Sequence, residues 1–212
     1  MKAKQSTLTV ITVFGILSGL AGMEHGVGEI LQGGASPGIV FASWPGSTFF
    51  QSVAGEPAMS LIPNLWVSGI VSIILSLAFI GWALLGKRRW WAALLLSVLL
   101  LLTGGGFGPP LLGSIIAMTA LRLNAPLKIS GERHVPLLRK LSAAAWPWLF
   151  GLAIAAWLVL MPGVMLFDLL IGVKTPKGSC LTLFSLLSLC FCWPSRQAMH
   201  TMPGMPRATE RV

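Results

Sequence analysis

The sequence predicts an all-α fold, a polytopic bundle of about six transmembrane helices in one integral membrane domain, residues 1–212. Hydrophobic residues make up 55% of the chain and charged residues only 10%, which is more apolar surface than a water-soluble domain can bury. The net charge of +9 comes from Lys and Arg clustered between apolar runs, a pattern of membrane topology rather than nucleic-acid binding. We therefore expect a lipid bilayer as the main partner, with anionic headgroups at the basic loops and no nucleic acid.

The first predicted span, residues 8–23, follows Lys2 and Lys4 and is either retained or cleaved after Ala21 as a signal segment, which would leave about five spans. Glycines recur here at steps of four, three and four, so on a helix they share one side. They are Gly15, Gly19, Gly22 and Gly26. Glycine at this spacing lets a second helix approach closely in lipid. We expect retention, with these glycines packing against another helix, and we expect other membrane proteins or a second copy of this chain as partners.

The next segment, residues 24–63, is predicted to be an extracytoplasmic loop, because no Lys or Arg occurs in residues 5–86. Its Pro-Gly pairs indicate turns. The second span is predicted at 64–86 and is closed by the basic residues 87–89. Tryptophans near both of its ends are typical of the membrane interface.

The central apolar run, residues 90–123, is too long for one upright span, since it would measure about 50 Å against a hydrocarbon core of roughly 30 Å. Basic residues flank both ends of the run, so we expect it to enter the membrane and return as a short hairpin with arms at 90–103 and 110–121. A candidate hinge interrupts it. The hinge residues are Gly104, Gly105, Gly106, Gly108, Pro109 and Pro110.

The position of this hinge is open in the sequence. Each arm is roughly 20 Å long and therefore short of the hydrocarbon core. The hinge is either a surface turn at a locally thinned interface or a re-entrant break enclosed by protein or a water-filled cavity. In the second case, free N–H groups beyond Pro110 would favour a polar or anionic ligand.

The C-terminal half continues with a basic cytoplasmic loop, 122–142, a span at 143–161, a last span at 179–193 and a tail, 194–212. The segment 164–173 is either interfacial or inserted. Cys180, Cys190 and Cys192 are expected to be packed thiols, because no C-x-x-C pair occurs. With six spans, both termini lie in the cytoplasm and the protein resides in the plasma membrane.

Four ionisable residues form a candidate polar cluster: Glu24, His25, Glu29 and Asp168. If the first helix continues, His25 and Glu29 share a face and could hold a divalent metal or relay a proton. If Gly26 and Gly28 end that helix, the same residues are an ordinary polar helix end. Asp168 either pairs with Lys174 or Lys177 at the interface or lines a polar cavity. The spacing lacks a hydrolytic zinc motif, so no metal site is predicted.

No nucleotide-binding loop, hydrolase motif or catalytic constellation occurs in the sequence, so we predict neither an enzyme nor a bound cofactor. Two functional hypotheses remain. The first is an accessory or subunit-type protein that binds other membrane components. The alternative is a small transporter or channel-like protein with a polar pathway near Glu24, His25, Glu29 and Asp168.

Overall fold

The computed structural model describes residues 2–43, 57–85, 89–123, 136–159 and 170. These residues are mostly helical, and a small antiparallel sheet pairs Val40 with Met59 and Ala42 with Pro57. In chain order the elements are α1 Lys2–Gln32, β1 Val40–Ala42, β2 Pro57–Met59, α2 Leu65–Leu84, α3 Trp90–Leu102, α4 Gly108–Leu123 and α5 Pro136–Leu158. The predicted span at 179–193, the tail at 194–212, Asp168 and the three cysteines lie outside the described residues.

Helix α1 extends beyond the predicted span of residues 8–23, because it runs unbroken through Gly26 and Gly28. The non-helical segment therefore begins after Gln32 rather than at residue 24. A helix-interior glycine costs only about 1 kcal/mol, and here α2 packs on this part of the helix. Gly33 and Gly34, with φ of 61° and 74°, end the helix, and the Gly33 N–H donates to the Glu29 carbonyl at 3.0 Å.

Helices α1 and α2 are antiparallel and pack closely along their length. A Cβ on Gly15 would lie 2.5 Å from the Ala83 Cβ, and a Cβ on Gly26 would lie 2.7 Å from the Gly69 carbonyl oxygen. Gly19 and Gly22 face Ile80 and Ser76 in the same way. The four glycines of the stripe thus lie against α2 of the same chain.

Helix α2 occupies nearly all of the predicted span, residues 64–86. Asn64 caps its N-terminus, since the Asn64 Oδ1 accepts from the N–H groups of Trp66 and Val67 at 2.9 and 3.2 Å. A helix of a water-soluble protein buries its apolar side and exposes its polar side. In α2 this distribution is reversed. Three serines are completely buried, namely Ser68, Ser72 and Ser76, while large apolar side chains are exposed, namely Val67, Ile70, Ile74 and Leu77.

Two helical segments, Gln5–Gln32 and Leu65–Leu84, are long and apolar enough to cross a membrane within the described part of the chain. The other apolar helices there are shorter. Helix α3 has 13 residues and measures about 20 Å, which falls short of a core of roughly 30 Å. The described helices therefore do not support six full-length spans.

The remaining predicted boundaries shift as well. Helix α4 begins at Gly108 and ends at Leu123 instead of covering 110–121. Helix α5 begins at Pro136, inside the predicted loop 122–142, and ends at Leu158 instead of covering 143–161. Pro147 consequently lies inside α5.

Helices α3 and α4 form an antiparallel pair whose connection is buried. The Leu61 N–H donates to the Leu102 carbonyl at 2.9 Å, and the Gly104 N–H donates to the Met59 carbonyl at 2.8 Å. These two bonds attach the end of α3 to the segment between β2 and α2. Gly104, Gly105 and Gly106 are buried, so the connection is enclosed by protein and is not an exposed turn.

The connection then runs along α1 instead of turning sharply. Gly104 packs on Glu29, Gly106 packs on His25, and the Ser18 hydroxyl donates to the Pro109 carbonyl at 2.8 Å. Glu29 and Ser18 are about 16 Å apart along the α1 axis. Helix α4 therefore starts near the middle of α1, deep inside the helical assembly.

Candidate functional site

Glu29 is the most unusual side chain in the described structure. It is only 2% exposed, and neither of its carboxyl oxygens has a hydrogen bond of ordinary geometry. The Ser68 hydroxyl is near enough to interact with the carboxyl group, but its well-formed hydrogen bonds go to the Thr103 carbonyl at 2.8 Å and the Ser60 hydroxyl at 2.6 Å. A buried polar group without a partner costs about 1–3 kcal/mol, and more when it is charged. Such a group calls for a functional explanation.

The glycine break, residues 103–107, covers this carboxyl group. Gly104 has φ of 88°, and a Cβ at this position would overlap the Glu29 carboxyl group. Gly106 has φ of 70°, and a Cβ there would overlap the His25 imidazole. Glycine is required at both positions for two reasons. The backbone is left-handed there, and a side chain of α1 approaches too closely for a Cβ. Glu29 and His25 lie one turn apart on α1, so two successive contacts fix the break along one face of that helix.

Serine hydroxyls from two helices hold the backbone on either side of the glycines, at Thr103 in the break and at Pro109 in the first turn of α4. Ser68 and Ser72, one turn apart on α2, both donate to the Thr103 carbonyl. Ser18 on α1 donates to the Pro109 carbonyl. A break in a helical hairpin leaves peptide groups that must find partners elsewhere when they are buried. These hydroxyls supply them.

We define the Glu29 cluster as the buried polar groups gathered at this point of contact between α1, α2 and the break. Its members are His25, Glu29, Ser60, Ser68, Ser72, Thr103, Gly104 and Gly106. His25 is 8% exposed, and Ser68 and Ser72 are fully buried. No Lys or Arg occurs in residues 5–86 or 90–121, so none of the elements packed around Glu29 can supply a basic counter-ion.

The structure brings together two features that the sequence presented separately, the polar cluster and the hinge. His25 and Glu29 are buried against the break, whereas Glu24 is partly exposed and lies on another side of α1. Asp168 lies outside the described residues. Sequence reasoning missed the serines of α2. Their signal was the four-residue recurrence of Ser68, Ser72 and Ser76 in an otherwise apolar segment, which marks one buried helix face.

This geometry bears on two ligands considered from the sequence, an anion beyond the prolines and a metal at the polar cluster. The first N–H beyond the prolines, that of Leu111, donates to the Phe107 carbonyl at 3.2 Å, so it is not free for an anion. The acidic Glu29 also faces the break, which disfavours an anion there. Within the described residues, no three His, Cys, Asp or Glu side chains come together as a metal site. The arrangement suits a small cationic ligand bound by one carboxyl group.

The chain was compared with families, curated proteins and solved structures. No protein-family model, no curated protein and no solved structure matches it.

Proposed function

We propose that this protein is a small multi-pass integral membrane protein of transporter or channel type, whose binding site is the Glu29 cluster. One observation carries the proposal: a carboxyl group that is 2% exposed, without a well-formed hydrogen bond, lies against irregular backbone. Ionisable residues inside a membrane are rare, and they mark ion or substrate pathways by default.

The distribution of side chains supports a bilayer as the solvent of this fold. Serines occupy the buried face of α2, while Ile74 and Leu77 on its outer face are 59% and 52% exposed. The same holds for α3, where Ser97 is buried and Leu95 is 52% exposed. Apolar side chains outside and hydroxyl groups between helices are the pattern expected of helices packed in lipid.

The glycine break supports a transport-type role within the membrane. Non-helical backbone at membrane depth is tolerated only where protein or a water-filled cavity surrounds it. Discontinuous helical segments near the midplane form the ion and substrate sites of many secondary transporters. Here the break begins at Glu29, near the C-terminal end of α1, and α4 starts near the middle of α1, so the irregular segment leads from the carboxyl group toward the centre of the helices.

Charge supports a topology with both termini in the cytoplasm and the protein in the plasma membrane. Lys2 and Lys4 lie in the first turn of α1, and Arg89 directly precedes α3. Because α1 and α2 are antiparallel, as are α3 and α4, these positions and Arg122 in the last turn of α4 lie at one end of the assembly. Basic residues gathered at one end favour the cytoplasmic side for that end.

The accessory-subunit hypothesis rested on the glycine stripe of α1 as a surface for a helix of another protein. That stripe faces α2 of the same chain, so a Cβ at Gly19 would lie 2.9 Å from the Ile80 Cδ1. The stripe therefore no longer favours an external partner. The transport-type role is the function that the geometry supports better.

Access to the site from water tests the proposal. In a variant with Cys180, Cys190 and Cys192 replaced by serine, Ser68→Cys places a thiol inside the Glu29 cluster. Ser97→Cys is the matched control, because Ser97 is equally buried but its hydroxyl donates to Ala93 of its own helix. We expect a small thiol reagent to modify Ser68→Cys in liposomes, while a bulky reagent modifies neither variant. Equal resistance of both variants to the small reagent would contradict a solute-accessible site.

A further inference from the structure

We infer that the ligand of the Glu29 cluster is a proton, which the Glu29 carboxyl group binds and releases as the glycine break closes on it and opens. The inference rests on the proposed function, because it names the ion that a transport-type site would use. The proton binds to Glu29. The position of the break depends on whether the Glu29 carboxyl group is protonated.

The charged groups around Glu29 determine what can neutralise its carboxylate. On α1 they are His25, one turn away on the same face, and Glu24, partly exposed on another side. Helices α2 and α3, the break and the segment 57–64 contain no Asp, Glu, His, Lys or Arg. No fixed cation of these elements can therefore neutralise the carboxylate, and its charge must be compensated by a bound cation or by a proton.

The number of oxygen ligands available near Glu29 distinguishes a proton from a metal cation. Hard cations such as Mg²⁺ and Ca²⁺ take about six to eight oxygen ligands. The nearby Thr103 carbonyl already accepts hydrogen bonds from Ser68 and Ser72, and the hydroxyls of Ser60 and Ser68 bond to each other. These bonds use both lone pairs of the Thr103 carbonyl, so too few free oxygen lone pairs remain around Glu29 for a shell of about six to eight ligands. A proton needs no coordination shell.

The contact between Glu29 and Gly104 favours a protonated carboxyl group. The carboxyl group lies against the Cα of this residue so closely that a methyl group would overlap it. A protonated carboxyl group has one O–H to donate, and the nearby Ser68 oxygen can accept it, because the O–H of Ser68 is already donated to the Thr103 carbonyl. A carboxylate instead needs several donors or water, and water can reach it only if the break moves away from α1.

The chemical step is a simple proton transfer. A hydronium ion on the open side gives its proton to one carboxylate oxygen of Glu29, so an O–H bond forms and water is released; nothing is oxidised or reduced. The break then closes on the neutral group. Gly104 and Gly106, both with positive φ, are the residues at which the backbone can change conformation at the lowest cost.

Infrared difference spectroscopy of the full-length protein in liposomes tests the inference directly. We expect the carboxyl C=O stretching band of the wild type to lose intensity as the pH is raised, and the band of Glu24→Gln to behave alike. Glu29→Gln should lose one component of this band, so the wild-type spectrum minus the Glu29→Gln spectrum isolates the titration of Glu29 from that of the other carboxyl groups. Glu29→Asp retains a carboxyl group one methylene shorter and should shift the band instead, which gives a second readout if Glu29→Gln does not fold.

Two results would overturn the inference. One is an identical pH-dependent band in the wild type and in folded Glu29→Gln. The other is a change of the wild-type band on adding Na⁺ or K⁺ at constant pH, which would identify an alkali cation as the ligand. Reagent access at Ser68→Cys without titration of Glu29 would refute the proton but keep the transport-type site. Titration of Glu29 without that access would refute the transport-type site but keep proton binding.

Discussion

The carboxyl group of Glu29 lies directly on the Cα of Gly104, and only a hydrogen atom fits between them. This contact joins the C-terminal third of α1 to the centre of the α3–α4 hairpin, 75 residues later in the sequence. It makes the polar side chain and the irregular backbone one structural unit. Substitutions on either side should therefore affect the other.

Gly104→Ala should destabilise the protein strongly. Its left-handed φ costs an alanine about 1–2 kcal/mol, and overlap with Glu29 adds about 1–3 kcal/mol. Thermal unfolding in detergent, followed by circular dichroism, measures the loss. Gly34→Ala is the matched control, because Gly34 has a similar φ of 74° but no atom within 4 Å of the added Cβ. Combining Gly104→Ala with Glu29→Ala should recover the part of the stability that the overlap with Glu29 costs. Equal losses of stability for Gly104→Ala and Gly34→Ala would show that Gly104 and Glu29 do not touch.

Gly26→Ala should separate α1 from α2, because its Cβ would lie 2.7 Å from the Gly69 carbonyl oxygen and 2.9 Å from Ile73 Cγ1. Overpacking of this kind costs about 1–3 kcal/mol. Gly81→Ala is the control on α2, where nothing lies within 4 Å of the added Cβ, and it should be neutral or stabilising by about 0.5–1 kcal/mol. Denaturant titration in mixed micelles compares the two. A Gly26→Ala variant as stable as Gly81→Ala would refute close packing at this point.

Ser68→Ala and Ser72→Ala should each lower the free energy of unfolding by about 1 kcal/mol, since each removes one donor to the Thr103 carbonyl. The double variant should lose more than the sum, because it leaves that buried carbonyl without either hydroxyl. The control is Ser97→Ala, whose hydroxyl bonds to a carbonyl of its own helix; we expect less than about 1 kcal/mol there. Strict additivity of Ser68→Ala and Ser72→Ala would argue against a shared acceptor.

The proposed topology predicts opposite labelling at two serines. In the variant without native cysteines, Ser47→Cys should react with an impermeant reagent added outside intact cells, while Ser130→Cys should react only after the membrane is opened. The reason is the clustering of Lys and Arg around residue 130 and their absence from residues 5–86. Labelling of Ser130→Cys from outside would refute cytoplasmic placement of the basic loop.

The helical class and the approximate places of the described helices could be predicted from the sequence, because apolar runs, prolines and basic clusters act locally. The sequence left open whether Gly26 and Gly28 end the first helix, and α1 continues through both. The tertiary contact of Gly26 with Gly69 outweighs the intrinsic cost of glycine in a helix. The small sheet was also missed, because its three-residue strands are too short for a periodic signal.

The site was predictable only in parts. His25, Glu29 and the glycines of the break stand out by residue type, but nothing local shows that Gly104 packs on Glu29 or Gly106 on His25. The sequence also presented the glycine stripe of α1 as a surface for a second helix without revealing that α2 would fill it. Such pairings depend on how helices dock, which local sequence patterns do not show.

The short length of α3 has a consequence for the order of assembly. A helix of about 20 Å, followed by buried irregular backbone, has no stable place in lipid by itself, since its open peptide groups would find no partners there. The hydroxyl donors to the break and to the first turn of α4 belong to Ser68 and Ser72 on α2 and to Ser18 on α1. We therefore expect the first two helices to associate before the hairpin packs against them. Synthesis from the N-terminus supplies the helices in that order, so the growing chain completes this docking surface before the hairpin is made.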